Sequence, residues 1–319
     1  MTPIPDPASG STDAPGASIR LTGAPTAPKL GTMVNVPEAH SAPRPAHIVD
    51  VLIAERAPRL TSSPLWPLLR PPLHALLGYD KARRMADAIA PMDGRAALDH
   101  VSDLLKLQVE TRGLEHVPAS GRAVIVANHP TGIADGMAVH DALRQLRDDV
   151  IFYANADAHR VCRRFDEVLI PVEWVEAKRS RDRMRLTLQM TREAMEADRA
   201  LMIFPAGRLA MRDEEGQLTD PPWASSAVSI ARKYAAPIIP LHVAGPWSTL
   251  FHLFDKRHQE LRDITLFHEL LNKTGRRFRL IIGAPIDPAA LASDPVQATL
   301  ELKHHVERVL PAQAEDPLR

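Results

Sequence analysis

The chain has 319 residues, carries 39 Lys and Arg against 39 Asp and Glu, and contains a single cysteine. A formal net charge of zero argues against a surface built to bind nucleic acid, and 4% aromatic residues argue against a base-stacking platform. One cysteine excludes a disulfide framework and a zinc site built on several thiolates, and it indicates a reducing compartment.

Residues 1–45 hold nine of the 29 prolines, interleaved with Ala, Ser, Gly and Thr. Such a stretch has too few large apolar side chains to offset the entropy of ordering it. It also lacks the basic start and continuous apolar core of a secretory signal. We therefore predict a disordered tail over 1–45.

Residues 46–94 form a different kind of segment. The apolar stretch Leu65–Tyr79 is interrupted by Arg70, His74 and three prolines, and basic residues follow at Lys81, Arg83 and Arg84. It is too short and too broken to span a bilayer, which takes about 20 apolar residues. An apolar wedge with a basic flank is typical of a helical, membrane-interfacial segment. Helices that cap the core are the alternative, and the two interpretations are compatible.

From residue 95 to residue 319 the pattern becomes regular, because short β-rich runs alternate with segments of helical composition. The predicted strands are Arg122–Ala127, Val150–Ala154, Val168–Val172, Ala200–Phe204, Pro237–Val243 and Arg277–Gly283. The predicted helices are Asp135–Arg147, Arg181–Ala197, Trp223–Ala235 and His258–Lys273. This alternation predicts one α/β domain with a mostly parallel central sheet flanked by helices.

In a parallel sheet, ligands bind at the carboxyl ends of the strands, so the loop 128–136 after the first predicted strand is of interest. His129 and Asp135 are six residues apart and would oppose each other on a helix. Pro130 and Gly132 allow the loop to fold back, so that the carboxylate meets the imidazole. Such a pair leaves the other ring nitrogen as a base for a hydroxyl. The alternative is an Asp135 that only caps its helix.

A second loop of this kind follows the predicted strand at 200–204. Pro205, Gly207 and Arg208 can offer backbone N–H groups and one guanidinium to an anion. The alternative is an ordinary strand exit with a surface arginine. Two such loops at one sheet edge, one with a base and one with an anion binder, indicate a functional site.

The motifs Asn-His-Pro-Thr-Gly-Ile-Ala-Asp (128–135) and Ile-Phe-Pro-Ala-Gly-Arg (203–208) resemble the first and third signature blocks of the glycerolipid acyltransferases. This is the superfamily of 1-acylglycerol-3-phosphate O-acyltransferases. Residues 237–241 match its late apolar block around a proline, and the resemblance covers about residues 105–290. It implies an acyl thioester as donor, on acyl carrier protein or coenzyme A, with no further cofactor and no metal.

Two departures from the family pattern point to one branch. Five residues rather than four separate His129 from Asp135, and Ala206 stands where the third block usually has Glu. Both features resemble the haemolysin-like branch, which includes the O-acyltransferases of ornithine lipids and related aminolipids. The stretches 260–263, 268–273 and 282–286 look like that branch as well. The missing Glu puts in doubt whether the acceptor is of the glycerol phosphate type.

The family's second block, a basic residue after an apolar strand, is the weakest match. Here Glu173 follows the strand, and the nearest cations are Lys178 and Arg179, which lead into Arg181, Arg183 and Arg185. These residues could bind a phosphopantetheine, an anionic carrier protein or lipid headgroups, or they could form a solvated helix face. Glu173 could instead pair with an amino group of the acceptor.

The resemblance implies roles for the residues of both loops. His129 is the expected general base and Asp135 orients its imidazole. Asn128 and Thr131 shape the loop or contact the acceptor, and backbone N–H groups near Gly132 or Gly207 hold the oxyanion. Pro205 belongs to the substrate-binding loop, and Arg208 binds the anionic part of donor or acceptor.

The sequence therefore predicts transfer of a fatty acyl chain to the hydroxyl of a lysolipid. The expected acceptor is a lyso-aminolipid such as lyso-ornithine lipid, or lysophosphatidic acid. We expect peripheral association with the cytoplasmic face of the inner membrane and no nucleic acid partner. Two alternatives stay open: a thioester or lipid hydrolase that uses the same His–Asp pair, and a non-catalytic, membrane-associated lipid-binding protein.

Overall fold

The computed structural model describes residues 46–173, 180–212, 218–246, 249–255 and 258–315. The tail predicted over 1–45 lies outside these residues, and so do Lys178 and Arg179. The described part belongs to one compact unit that begins at Pro45.

Within the described residues, four helices precede the α/β part of the chain. They are α1 (Ile48–Arg56), α2 (Pro58–Thr61), α3 (Trp66–Leu77) and α4 (Tyr79–Ile89). Gly78 separates α3 from α4 in a left-handed conformation with φ 67°. Leu52 of α1 and Ile89 of α4 are buried in the same core cluster as the sheet. These helices therefore pack onto the α/β part with one face.

The opposite side of this helical layer is apolar as well. Exposed leucines cluster on and just before α3: Leu65, Leu68, Leu69 and Leu76. The basic residues Lys81, Arg83 and Arg84 are exposed on the neighbouring α4. Among the described helices, none is both long and apolar enough to cross a membrane.

The central sheet has seven strands in the order β1-β9-β8-β2-β5-β3-β4. Its strands are β1 (Gln108–Arg112), β2 (Ala123–Ala127), β3 (Ile151–Asn155), β4 (Leu169–Val172), β5 (Ala200–Ile203), β8 (Ile238–Ala244) and β9 (Arg277–Ile282). The five strands from β8 to β4 are parallel to one another. Strand β9 runs antiparallel to β8, and β1 runs parallel to β9. The predicted α/β fold with a mostly parallel sheet is confirmed.

Helices cover both faces of the sheet. The described helices that follow α4 are α5 (Gly94–Leu105), α6 (Ile133–Leu143), α7 (Ala158–Val161), α8 (Arg181–Glu196), α9 (Ser226–Tyr234), α10 (Thr249–Asp255), α11 (Gln259–Ile264), α12 (Leu266–Leu271), α13 (Pro295–His304) and α14 (Leu310–Glu315). All five residues of β2 are buried, and they alternate between two core clusters. Ile125 packs with residues of α5 and α6, whereas Val124 and Val126 pack with residues of α8 and α9. Two covered faces explain why the strand sequences are continuously apolar.

The six predicted strands match the observed ones to within one residue at each end. Strand β1 was not predicted, and neither was the small hairpin of β6 (Met211–Arg212) and β7 (Leu218–Thr219). The helix predicted over 258–273 is interrupted at Thr265, whose hydroxyl donates to the carbonyl of Arg262 at 2.7 Å. A threonine that bonds its own backbone competes with helix continuation.

Candidate active site

The loop after β2 brings His129 and Asp135 together at the carboxyl edge of the sheet. His129 Nδ1 lies 3.0 Å from Asp135 Oδ2. The Asp135 carboxylate is fully buried, whereas the imidazole of His129 is 17% exposed. Because a carboxylate only accepts hydrogen bonds, the proton of the neutral imidazole sits on Nδ1 and Nε2 keeps its lone pair. The pair therefore has the geometry of an oriented base that reaches solvent.

Asp135 also organises the turn that makes this contact possible. Its carboxylate accepts from the N–H groups of Thr131 at 2.8 Å and Gly132 at 3.0 Å, and from the Thr131 hydroxyl at 2.5 Å. Gly132 precedes α6 with φ 91°, a conformation that favours glycine. The helix consequently starts at Ile133 rather than near the predicted Asp135. Asp135 thus caps the helix and holds the imidazole at the same time, so the two interpretations of this residue hold together.

The main chain of His129 is held on both sides by residues that follow β5. Its N–H donates to both carboxylate oxygens of Asp220 at 3.1 Å, and its carbonyl accepts from the N–H of Ala210 at 2.9 Å. The imidazole stacks on the ring of Phe204, with 4.4 Å between the ring centroids. The loop after β2 and the loop after β5 therefore form one unit.

Asp220 is a residue of this site that sequence reasoning missed. It is 4% exposed and accepts from the indole N–H of Trp223 at 2.9 Å. Burial raises the pKa of Asp220 to about 6, against the hydrogen bonds from His129 and Trp223, which lower it. The sequence around Asp220 shows only an acidic residue three positions before a tryptophan, with two prolines between them. Nothing in this pattern indicates a contact with His129, which lies 91 residues earlier.

Asn128 and Thr131 act within the protein. The amide of Asn128 donates to the carbonyl of Val243 at 3.0 Å, and its oxygen accepts from the N–H of Val243 at 2.7 Å. Asn128 thereby ties the end of β2 to β8, and Thr131 is engaged by Asp135. Both side chains shape the loop.

The oxyanion groups expected near Gly132 and Gly207 are already in use. The Gly132 N–H donates to Asp135, and the Gly207 N–H donates to the carbonyl of Phe204 at 3.1 Å in a turn with φ 61°. Neither N–H is free for a substrate oxygen in this conformation. Arg208 projects from the same turn, is exposed, and has no side-chain partner within the described part of the chain.

A groove of about 800 Å³ opens beside this site between α8 and α9. Its floor and walls are mostly apolar and include Tyr153, Ile203, Met184, Leu188, Ile230 and Tyr234. Pro205 also lines it, and Pro205 directly follows the phenylalanine that stacks on His129. The groove therefore leads to the edge of the sheet that carries the imidazole.

Cations surround the apolar lining of the groove. They are Arg183, Arg185, Arg192 and Lys233. Glu173 sits at the same rim and forms an ion pair with Arg183. The first half of α8 is exposed almost all round. Its arginines therefore reach solvent, as the alternative of a solvated helix face predicts. They also border a cavity, which a solvated helix face alone does not explain.

Other reactive groups lie outside this arrangement. Cys162 is fully buried, and burial raises the pKa of its thiol, which disfavours the nucleophilic thiolate. Within the described ranges, no three His, Cys, Asp or Glu side chains are grouped so as to hold a metal ion.

Residues 108–244 match the model of the family described as Acyltransferase, a range that contains both loops. A lyso-glycine lipid O-acyltransferase of Phocaeicola vulgatus is 27% identical over 195 residues, which cover 59% of this chain and 68% of the relative. A lyso-glycine lipid O-acyltransferase of Bacteroides thetaiotaomicron is 26% identical over 155 residues, which cover 49% of this chain and about half (55%) of the relative.

The chain is also similar to a solved structure. It is the 1-acyl-sn-glycerophosphate (LPA) acyltransferase PlsC of Thermotoga maritima, with a TM-score of 0.45 and 16% sequence identity. The match covers 70% of this chain and 82% of that one.

Proposed function

The chain belongs to the glycerolipid acyltransferase superfamily, and from this premise we propose that it transfers a fatty acyl group from a thioester to the hydroxyl of a lysolipid. The observation that carries the proposal is the contact between His129 and a fully buried Asp135 in the loop after β2. An imidazole oriented by a carboxylate is the group that deprotonates a hydroxyl near neutral pH.

The reaction follows from the atoms of this pair. Nε2 of His129 takes the proton of the acceptor hydroxyl, and the oxygen attacks the carbonyl carbon of the thioester. Asp135 holds the imidazole in place and stabilises the imidazolium that forms. The tetrahedral intermediate collapses with cleavage of the C–S bond, and the imidazolium returns its proton to the leaving thiolate. The products are a lipid ester and a free thiol, without a covalent acyl-enzyme.

The groove between α8 and α9 is the proposed site of the acyl donor. Its apolar lining suits a fatty acyl chain, and its volume of about 800 Å³ is in the range of ligand pockets. The cations at its rim suit the phosphate that acyl carrier protein and coenzyme A both carry on their pantetheine arm. Lys178 and Arg179 extend this basic run in the sequence.

The proposed acceptor is a lysolipid with an amino-acid headgroup. Both curated relatives are named for lyso-glycine lipid, which is an acceptor of that kind. Ala206 replaces the carboxylate of the usual third block, and Arg208 beside it is exposed and able to bind an anionic headgroup. Lyso-ornithine lipid and lysophosphatidic acid are the acceptors to compare.

Access to such an acceptor is proposed to come from peripheral contact with the membrane. The exposed leucines of α3 supply an apolar surface, and the basic residues of α4 supply attraction to anionic lipids. We place this contact at the cytoplasmic face of the inner membrane.

Product analysis tests the proposed reaction. The purified chain is incubated with palmitoyl-acyl carrier protein or palmitoyl-coenzyme A and with lyso-glycine lipid, lyso-ornithine lipid or lysophosphatidic acid in turn. We expect the doubly acylated lipid as the main product with an amino-acid lysolipid. Free fatty acid as the main product in the presence of every acceptor indicates a hydrolase, and no consumption of thioester indicates a binding protein.

A further inference from the structure

Asp220 contacts the loop at 128–135, which carries His129 and Asp135. It lies between β7 and α9, on a segment that is remote from His129 in sequence, and it is buried at the base of the loop. Both of its carboxylate oxygens accept the N–H of His129. Its own N–H donates to Glu307 at 2.7 Å, so the C-terminal helical region holds Asp220 in turn.

The rest of the segment after β5 acts on the same loop. The N–H of Ala210 bonds the carbonyl of His129, and Leu209 lies 3.4 Å from the position that a Cβ on Gly132 would take. The peptide groups on both sides of the His129 Cα are therefore fixed by this segment, and Asp135 fixes the imidazole.

We propose that Asp220 is a positioning residue, which holds the main chain of His129 where the imidazole meets the acceptor hydroxyl. The inference rests on the proposed role of His129 as the base. Asp220 touches the backbone of His129 rather than a substrate, so its contribution is to turnover rather than to affinity. A shift of about 1 Å in a reacting group is worth about 100-fold in rate.

The charge on Asp220 decides the strength of this contact. The carboxylate is faced by the N–H groups of His129 and Trp223, by the imidazole of His129, whose positive charge lowers the pKa of Asp220, and by Glu307, whose negative charge raises it. Lys303 pairs with Glu307, and Arg308 donates to the hydroxyl of the neighbouring Thr219. Since burial raises the pKa of Asp220 to about 6, the carboxylate is ionised above pH 6 and becomes neutral below it. A bond to an ionised acceptor is about twice as strong as a neutral one.

The direct test is the backbone amide resonance of His129 in the full chain. Labelling with ¹⁵N-histidine gives a small set of amide signals, and the signal lost in His129→Ala identifies the residue. We expect its proton shift to titrate with a midpoint near pH 6. In Asp220→Asn the part of that titration that depends on Asp220 is absent, whereas any response to protonation of the His129 imidazole itself remains. A His129 amide whose response to pH between 5 and 7 is the same in wild type and in Asp220→Asn overturns the inference without any activity measurement.

The kinetic test compares Asp220→Asn with wild type over pH. We expect a kcat about 10- to 100-fold lower above pH 7, with KM for donor and acceptor nearly unchanged. The ratio of the wild-type kcat to the Asp220→Asn kcat should fall towards one as the pH falls through 6, because the Asp220 carboxylate of the wild type is then neutral as well. Asp287→Asn is the matched control, since Asp287 also accepts a backbone N–H but in an exposed loop, and it keeps the wild-type kcat.

The outcomes separate this inference from the proposed function. A pH-independent ratio accompanied by a lower melting temperature assigns Asp220 to packing alone and overturns its positioning role. Full activity in His129→Ala overturns the proposed function instead, whatever the amide titration shows.

Discussion

The loop at 128–135 and the groove between α8 and α9 meet at the same edge of the sheet, yet they are built in opposite ways. In the loop, the polar groups of Thr131, Gly132 and Asp135 bond one another, and Asp135 is fully buried. The groove and α3 instead present exposed leucines and arginines.

In the proposed function, this difference assigns orientation of the base to the loop and binding of the substrate to the groove and α3. A buried, fully bonded network holds a base in a fixed orientation before substrate arrives, which is what an oriented attack requires. Exposed apolar and cationic side chains adapt to an amphiphilic substrate and lose solvent contact only when it binds. Substitutions in the loop should therefore change turnover, and substitutions in the groove or on α3 should change affinity.

The largest effect is expected from the proposed catalytic pair, His129 and Asp135. His129→Ala and Asp135→Asn should each lower kcat by about 10²- to 10⁴-fold, because the base is removed or loses its orientation. The measurement is acyl transfer under saturating donor and acceptor. Asp99→Asn is the matched control, since Asp99 bonds His140 at 2.8 Å in a second His–Asp pair outside the loop, and it should keep turnover. Near wild-type kcat in either loop variant contradicts the assignment of turnover to the loop.

The next effect concerns the exposed surface of α3. Leu68, which is 75% exposed, should lose its membrane contact in Leu68→Glu. A buried leucine contributes about 1.5–3 kcal/mol, so binding to vesicles should weaken about 10- to 100-fold. Sedimentation with vesicles of mixed zwitterionic and anionic lipid measures it. Leu300→Glu on α13 is the control for an exposed leucine elsewhere, and equal binding by both variants removes α3 from the membrane contact.

A smaller effect is expected in the groove. Leu188 lines it and Leu186, on the same helix, does not. Leu188→Glu places a carboxylate in the apolar lining, and we expect about a tenfold higher KM for palmitoyl-coenzyme A in detergent solution. Acceptor KM and kcat should stay close to wild type. The same donor KM in Leu188→Glu and Leu186→Glu shows that the acyl chain lies elsewhere.

The smallest effect is expected at Arg208. An exposed charge contact is worth about 0.2–1 kcal/mol, so Arg208→Ala should raise KM for an anionic substrate by about 1.4- to fivefold. The melting temperature of Arg208→Ala should equal that of the wild type, because the Arg208 side chain has no partner among the residues that the structure describes. Initial rates at varied donor and acceptor show which substrate it contacts, and unchanged KM for both excludes it from binding.

Much of the fold could be predicted because burial on two faces leaves a plain trace in the sequence. The strands of the parallel part are short apolar runs, and their boundaries agree closely with prediction. Strand β1 was not predicted, because its sequence Gln-Val-Glu-Thr-Arg is mostly exposed and lacks the apolar run of a buried strand. It pairs with β9, which begins at Arg277. An edge strand defined by a partner so far along the chain carries no local signal.

The site was predictable to the same extent. The contact between His129 and Asp135 followed from a loop with Pro130 and Gly132, whose spacing allows the chain to reverse. The contact between Asp220 and the N–H of His129 could not be predicted in this way, because the partner of a buried acid in a turn is known only when the tertiary fold is known. The groove is likewise formed by α8 and α9 together, and neither helix shows it alone.

Asn128 has a further consequence for the edge of the sheet. Strand β2 ends in its pairing with β8 at Ala127, and the side-chain amide of Asn128 then bonds both the carbonyl and the N–H of Val243, which the backbone of a longer β2 would otherwise bond. The side chain serves as a surrogate for one more rung of the ladder, so the backbone can turn away early. That early exit leaves the N–H of His129 free of the sheet and available to a carboxylate. An aspartate at 128 would set an oxygen against the carbonyl of Val243, and the strand would lose the rung that lets it end there.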